Sequence, residues 1–200
     1  MTATPGRGRP RDPGADAAIL RAGLELFVQR GIEGTSIEAI AKRAGVGKLT
    51  VYRRWVTKEQ LIAAAIESTV ASEVAWPPAE EIDEASPYEM VEGALSNAAN
   101  TVAAPEFRAL MARVLGTAVS HPSLIKTYWD RYVLPRRELA RRLLENARKL
   151  GTVKPDTDPE ILIDMMVGAV MWRVLQPDSP DADEMRRYLR AVYRQVGLLP

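Results

Sequence analysis

The sequence predicts an all-α protein of about nine helices, a small three-helix head followed by a larger helical body. Three observations carry that expectation. β signals are nearly missing: no stretch alternates cleanly between apolar and polar residues, and no Asn-Gly or Asp-Gly hairpin turn occurs. Helix starts recur instead, as capping residues and prolines placed just ahead of apolar-periodic runs. Finally, Thr35 to Lys58 reads as a short helix, a glycine turn and a second, basic helix.

Taken in order, the helices are expected at residues 13–30, 36–43, 47–54, 58–75, 87–103, 106–119, 123–150, 159–175 and 181–197. The first carries Leu20, Leu24, Phe27 and Val28 on one face. Thr35 and Glu38 have the spacing of a capping box, in which hydroxyl and carboxylate satisfy orphan N–H groups at a helix start. Ile37, Ile40, Ala41 and Ala44 follow at helical spacing, and Gly45 suits the left-handed residue that ends a helix. Val46 is an apolar plug, and Ala41, Gly45 and Val51 sit where the two short helices cross and share a core, leaving Lys48, Thr50, Tyr52, Arg53 and Arg54 outward. Thr57 and Gln60 form a second capping pattern, opening the helix that joins head to body. Ser86-Pro87 and Asp158-Pro159 each combine a cap with proline at the first helical position. Pro135 falls inside the long seventh helix, where it removes a hydrogen bond and predicts a kink or break.

Composition limits the function classes. The chain has 200 residues, 46% of them hydrophobic, enough for one or two packed domains. Its apolar runs are short and broken by charges, so no membrane span is expected. The start MTATPGRGRPRDPG has no apolar segment of a secretory signal. There is no cysteine, which excludes disulfides and thiolate metal sites and fits a reducing cytoplasm. The net charge of +1 hides an asymmetry: residues 1–60 carry 11 Lys/Arg against 6 Asp/Glu, and the rest 16 against 20. A basic head on a slightly acidic body suits a protein that sets only its head against phosphates.

The helix pair built from these residues resembles the N-terminal domain of the TetR family of bacterial transcriptional regulators. The resemblance rests on an amphipathic first helix ending at GIEGTS, then IAKRAGV, TVYRRW and TKEQLI, in order over residues 16–65. It implies a helix-turn-helix head at 13–57, whose second helix enters the DNA major groove, and a ligand-binding and dimerisation domain at 58–200. It also implies DNA contacts at Thr35, Lys48, Thr50, Tyr52, Arg53, Arg54 and Lys58, with Lys58 as phosphate clamp. Glu38 departs from the pattern, since a carboxylate there repels phosphate, and is expected only to cap. Gly6 to Arg11 reads as part of a flexible basic arm (residues 1–12) that could enter a minor groove.

In the body, Trp76, Met90, Phe107, Met111, Trp129 and Tyr132, with Tyr128 beside them, are candidate walls of an apolar effector cavity. Helix 159–175 is apolar over most of its circumference, so both sides need cover. Met165, Gly168 and Trp172, with Met185, Leu189 and Val192 of the last helix, are candidate dimer contacts, four helices meeting about a two-fold axis. The arginines at 136, 137, 141 and 142 alternate with glutamates four apart and read as a salt-bridged exposed face. The single histidine, His121, has neither cysteine nor carboxylate cluster around it and reads as structural.

The function expected is that of a cytoplasmic homodimeric repressor without a cofactor, bound to a pseudo-palindromic duplex and released by a small apolar or amphipathic effector. A ligand-independent or activating regulator, and a helical protein-interaction module, are the alternatives. An enzyme is not expected, because the chain shows no nucleophile elbow, phosphate loop or metal-ligand spacing.

Overall fold

The computed structural model describes residues 13–73 and 78–200. Among them the chain is helical throughout, with no strand. The helices are α1 (Pro13–Arg30), α2 (Ile37–Arg43), α3 (Lys48–Tyr52), α4 (Lys58–Glu73), α5 (Ala79–Glu84), α6 (Pro87–Ala103), α7 (Pro105–Thr117), α8 (Pro122–Tyr128), α9 (Leu134–Lys149), α10 (Pro159–Leu175) and α11 (Ala182–Gln195); a π-helical turn, Trp129–Val133, joins α8 to α9. Two compact units divide at Ala65/Ile66, within α4. Both Trp76 and the basic arm lie outside the described residues.

The first unit is α1 to α3 with the start of α4. Its core is built from Ile19, Leu26, Phe27, Ile40, Val51, Leu61 and Ile62, all 2% exposed or less. The buried face of α1 is centred on Ile19, Gly23 and Phe27 rather than on Leu20 and Leu24. Gly23 marks where α1 meets α4: a Cβ there would stand 2.6 Å from the Leu61 side chain. Gly45, at φ +69°, makes the left-handed turn between α2 and α3.

Local chemistry sets most helix starts. Thr57 accepts from the Gln60 N–H (3.1 Å) while the Gln60 amide oxygen accepts from the Val56 N–H (3.2 Å). Ser86 and Asp158 cap α6 and α10, each with proline following, and Asp181 with Glu184 completes a capping box on α11.

The cap of α2 is a correction. Ser36, not Thr35, accepts from the Ala39 N–H (3.1 Å). Thr35 is 1% exposed and its hydroxyl donates to the Gly31 carbonyl (2.7 Å), so burial decides between two adjacent hydroxyls.

The second unit has a spine of α6 packed on α11, with α9 and α10 alongside and α7 against α6 and α10. Two differences from expectation appear here. Helix 123–150 is divided: Pro135 offers no N–H, and the turn before it widens so that the Leu134 N–H bonds to Trp129 O, five residues back. The helix α5 lies outside the expected helices, because AEEIDE has a single large apolar residue, Ile82; tertiary contact fixes it, with Ile82 0% exposed and the Asn146 amide donating to Ala85 O (3.0 Å).

Candidate nucleic-acid interface

Helix α3 is five residues long and begins at Gly47 without a side-chain cap. Such a helix does not persist by its own propensity; Val51, fully buried, anchors it to the unit's core. One face therefore points inward, and the other shows Lys48, Leu49, Tyr52 and the following Arg53 to solvent. Thr50 is half-buried at its edge.

The exposed side chains are coupled. The Lys48 ammonium donates to Glu38 of α2 and stands 5.6 Å from the Tyr52 ring centroid, a cation–π distance. Its hydrogen bond from Lys48 holds the Glu38 carboxyl below the usual carboxylate range, and Glu38 pushes Lys48 up in turn. Glu38 is thus not the capping residue expected of it: it orients Lys48 and lowers the positive potential of this face.

Two of the expected contacts are turned elsewhere. Arg54 donates through Nε to Asp16 of α1 and through a terminal nitrogen to Thr50 O (3.0 Å), leaving its side chain 13% exposed. It clips α3 to α1 and is not on the open face. Thr35 is buried, as described, and offers nothing to a phosphate. Lys58 is half-buried, with its ammonium donating to Ile32 O (2.7 Å). That bond holds it beside the loop after α1 and leaves two of its three donors for another acceptor.

One exposed residue escaped sequence reasoning. Leu49 stands 63% exposed on α3, between Lys48 and Thr50. The signal was available, since Leu49 lies opposite the buried Val51 in a helix whose outer face is otherwise polar.

The body's expected sites divide differently. Met90 lines an apolar cavity of about 300 Å³ bounded by α6, α9, α10 and α11. Phe107, Met111, Trp129 and Tyr132 do not line it. Met111 is core of α7. Trp129 lies on the surface with the Arg137 guanidinium 5.7 Å from its ring, and Arg137 in turn binds Glu160 and Asp164 (both 2.6 Å). Tyr132 meets Tyr128 in a tilted ring contact at 6.0 Å, and Tyr128 lies near the Arg136–Glu67 pair. The cavity walls are mostly alanine, valine and leucine, which in sequence look like any core.

Of the expected dimer contacts, Met165, Gly168 and Trp172 are exposed on α10, in one stripe with Ile161 and Leu175. Met185 and Leu189 are not available to a partner: both are 2% exposed or less and pack on Leu95 and Ala99 of α6. Val192 is half-buried. Among the described residues no group of His, Asp and Glu could hold a metal, and no helix is long and apolar enough to cross a membrane.

Comparison with known proteins agrees with this geometry. Residues 19–65 match the model of bacterial regulatory proteins of the tetR family, and residues 83–192 match the tetracyclin repressor-like C-terminal domain. The chain is 30% identical to the HTH-type transcriptional regulator YdeS of Bacillus subtilis, over 84% of this chain and 82% of that protein. It also resembles the crystal structure of the TetR family transcription regulator SCO0332, with 26% identity and a TM-score of 0.60 over 90% of this chain and 97% of that one. The fold is shared with SmeT, the repressor of a Stenotrophomonas maltophilia multidrug efflux pump, at 18% identity and a TM-score of 0.64, covering 92% of this chain and 93% of that one.

Proposed function

The chain belongs to the TetR family of bacterial transcriptional regulators, and from that premise we propose that it is a cytoplasmic homodimeric repressor that reads a pseudo-palindromic operator through α3. The observation that carries this reading is the open face of α3. A helix this short, held by one buried valine, presents a cation, an aromatic hydroxyl, an arginine and an apolar side chain together. This mixture suits a major groove, where phosphates, base edges and thymine methyls alternate.

The proposed roles follow from placement. Lys48 and Arg53 meet phosphates or guanine edges, and Lys58 clamps a phosphate with the donors that Ile32 leaves free. Tyr52 gives its hydroxyl to a phosphate and its ring to the groove wall, with Thr50 at the margin. Leu49 packs on a thymine methyl. Glu38 must release Lys48 when DNA arrives, which tempers non-specific attraction.

Dimerisation is assigned to the exposed stripe of α10. Ile161, Met165, Trp172 and Leu175 are each 47% exposed or more, and Gly168 lets a facing helix approach closely. An apolar stripe of this kind on an isolated subunit marks a contact surface. A two-fold dimer would offer its heads to successive major grooves on one DNA face, about 34–36 Å apart. An effector in the body that favours a conformer of the wrong spacing needs about 1.4 kcal/mol of differential affinity to lower occupancy tenfold.

Fluorescence anisotropy against duplexes tiling the DNA upstream of the chain's own gene tests the proposal, with Lys48→Ala/Tyr52→Ala as control. Tight binding to one tile, lost in the variant, is the expected result. Equal weak binding to every tile would leave only phosphate attraction. No binding at low salt would overturn the DNA reading in favour of an interaction module.

A further inference from the structure

The cavity in the second unit has an unusual wall. Fifteen residues line it, from α6, α9, α10, α11 and the C-terminal Leu198. Not one is charged, and three are methionines, Met90, Met166 and Met171. Tyr193 of α11 is the one lining residue whose side chain carries a conventional hydrogen-bonding group. It packs against the two core clusters that flank the cavity. Among the described residues its hydroxyl has no hydrogen-bond partner.

We propose that this cavity takes a neutral, predominantly apolar molecule carrying one hydrogen-bonding group, which is anchored at the Tyr193 hydroxyl. The proposal deepens the effector reading given above and rests on it. Three physical points lead here. A cavity of about 300 Å³ is at the small end of ligand pockets, which run from about 300 to 1,000 Å³. A carboxylate or ammonium set against this wall would lose part of its water and meet no counter-charge there, which disfavours a charged ligand relative to a neutral one of the same shape. A half-buried tyrosine hydroxyl with no partner in the protein has hydrogen-bonding capacity that a ligand's oxygen or nitrogen can satisfy.

Burial also pushes the Tyr193 phenol above its ordinary value, so it stays protonated and able to donate across the physiological range. The methionines let the wall adapt to ligands of different outline, because a thioether chain has several rotatable bonds and no branching. Val167, 52% exposed on α10, lies where the wall reaches the surface and marks an entry path.

A matched set of probes tests the class: 2-naphthol (neutral, one hydroxyl), 2-naphthoate (ionised at pH 7) and naphthalene. Binding to the full chain is followed by ligand fluorescence and calorimetry. The expected result is saturable binding of 2-naphthol, one per subunit, with 2-naphthoate weaker by at least about a hundredfold. Tyr193→Phe should weaken 2-naphthol about three- to tenfold and leave naphthalene unchanged. Ala98→Phe, which fills the space, should abolish binding of both; thermal melting checks that each variant folds.

Equal or tighter binding of 2-naphthoate would overturn the neutral class. Loss of 2-naphthol and naphthalene together in Tyr193→Phe would overturn the anchor. No binding by any probe, or binding unaffected by Ala98→Phe, would overturn the site. The same probes added to a protein–operator complex separate this proposal from the reading beneath it. If 2-naphthol binds as described but leaves DNA occupancy unchanged, the ligand class stands and effector release fails.

Discussion

Replacing Trp172 by alanine should pull the proposed dimer apart. Trp172 is 68% exposed toward the C-terminal end of the α10 stripe, between Gly168 and Leu175. A tryptophan carries about 150–250 Å² of side-chain surface, so burying the exposed part removes about 100–170 Å² from water in each subunit. At about 25 cal/mol per Å² that is about 2.5–4 kcal/mol per copy, and a two-fold interface contains two copies. Alanine keeps part of that contact, and neighbouring side chains collapse into part of the space. A net loss of about 3–4 kcal/mol is therefore expected, raising the dimer dissociation constant about 100- to 1,000-fold. Sedimentation velocity over a concentration series measures it directly. Leu189→Ala is the internal control: Leu189 is core within one subunit, so its loss should lower stability by about 2–5 kcal/mol without moving the association constant of the folded protein. The reasoning is refuted if Trp172→Ala associates as the parent does, or if Leu189→Ala alone disrupts association.

Four further outcomes are expected. Substituting uracil for the contacted thymine, which removes only the methyl, should weaken binding of the parent but not of Leu49→Ala, in a double-mutant cycle read by anisotropy; equal losses in both would place Leu49 away from the base. Lys48→Ala should reduce the slope of log affinity against log salt by about 0.9 for each head, and an unchanged slope would show that Lys48 stays with Glu38. The Arg136–Glu67 pair (2.7 and 2.8 Å, both side chains about one-fifth exposed) ties α9 to α4 within the second unit. Removing its guanidinium in Arg136→Ala should cost about 1–3 kcal/mol in chemical denaturation. Burial pushes the Glu67 carboxyl above its ordinary range, with Arg136 offsetting part of that. The folded state then holds this proton more tightly than the unfolded state. That contribution to stability is full below the unfolded pKa and is lost as pH rises through the folded one. Glu67→Gln should flatten that part of the melting-temperature profile.

What the sequence disclosed and what it hid follow from the range of the interactions involved. Helix starts were legible because caps are local: Ser86, Thr57 and Asp158 act on N–H groups two or three residues away. The glycine turn at Gly45 was legible for the same reason. Pro135 announced a disturbance, and the backbone resolved it as one π turn. Choices between like neighbours were not legible. Thr35 and Ser36 are both capping residues, and only burial of Thr35 separates them. Arg53 and Arg54 are adjacent, and the one turned inward is chosen by Asp16, 38 residues earlier. In the body, large aromatics suggested a cavity wall. The space instead lies among mostly aliphatic side chains of α6, α9, α10 and α11, which do not fill it. Packing defects of this kind leave no mark on hydrophobic periodicity. The apolar excess of α10 was visible, but whether its partner was α11 or a second subunit was not; the structure places Met185 and Leu189 inside one subunit and leaves Trp172 out.

Hydroxyl-radical footprinting of the chain on the duplex it selects tests the central claim most directly. A dimer that sets α3 of each subunit into a major groove should protect two segments centred one helical turn apart, about 10–10.5 base pairs, or a multiple of it, on one face of the DNA. Both should weaken together in Lys48→Ala/Tyr52→Ala. Uniform protection along the duplex, or a footprint unchanged in that variant, would contradict the account.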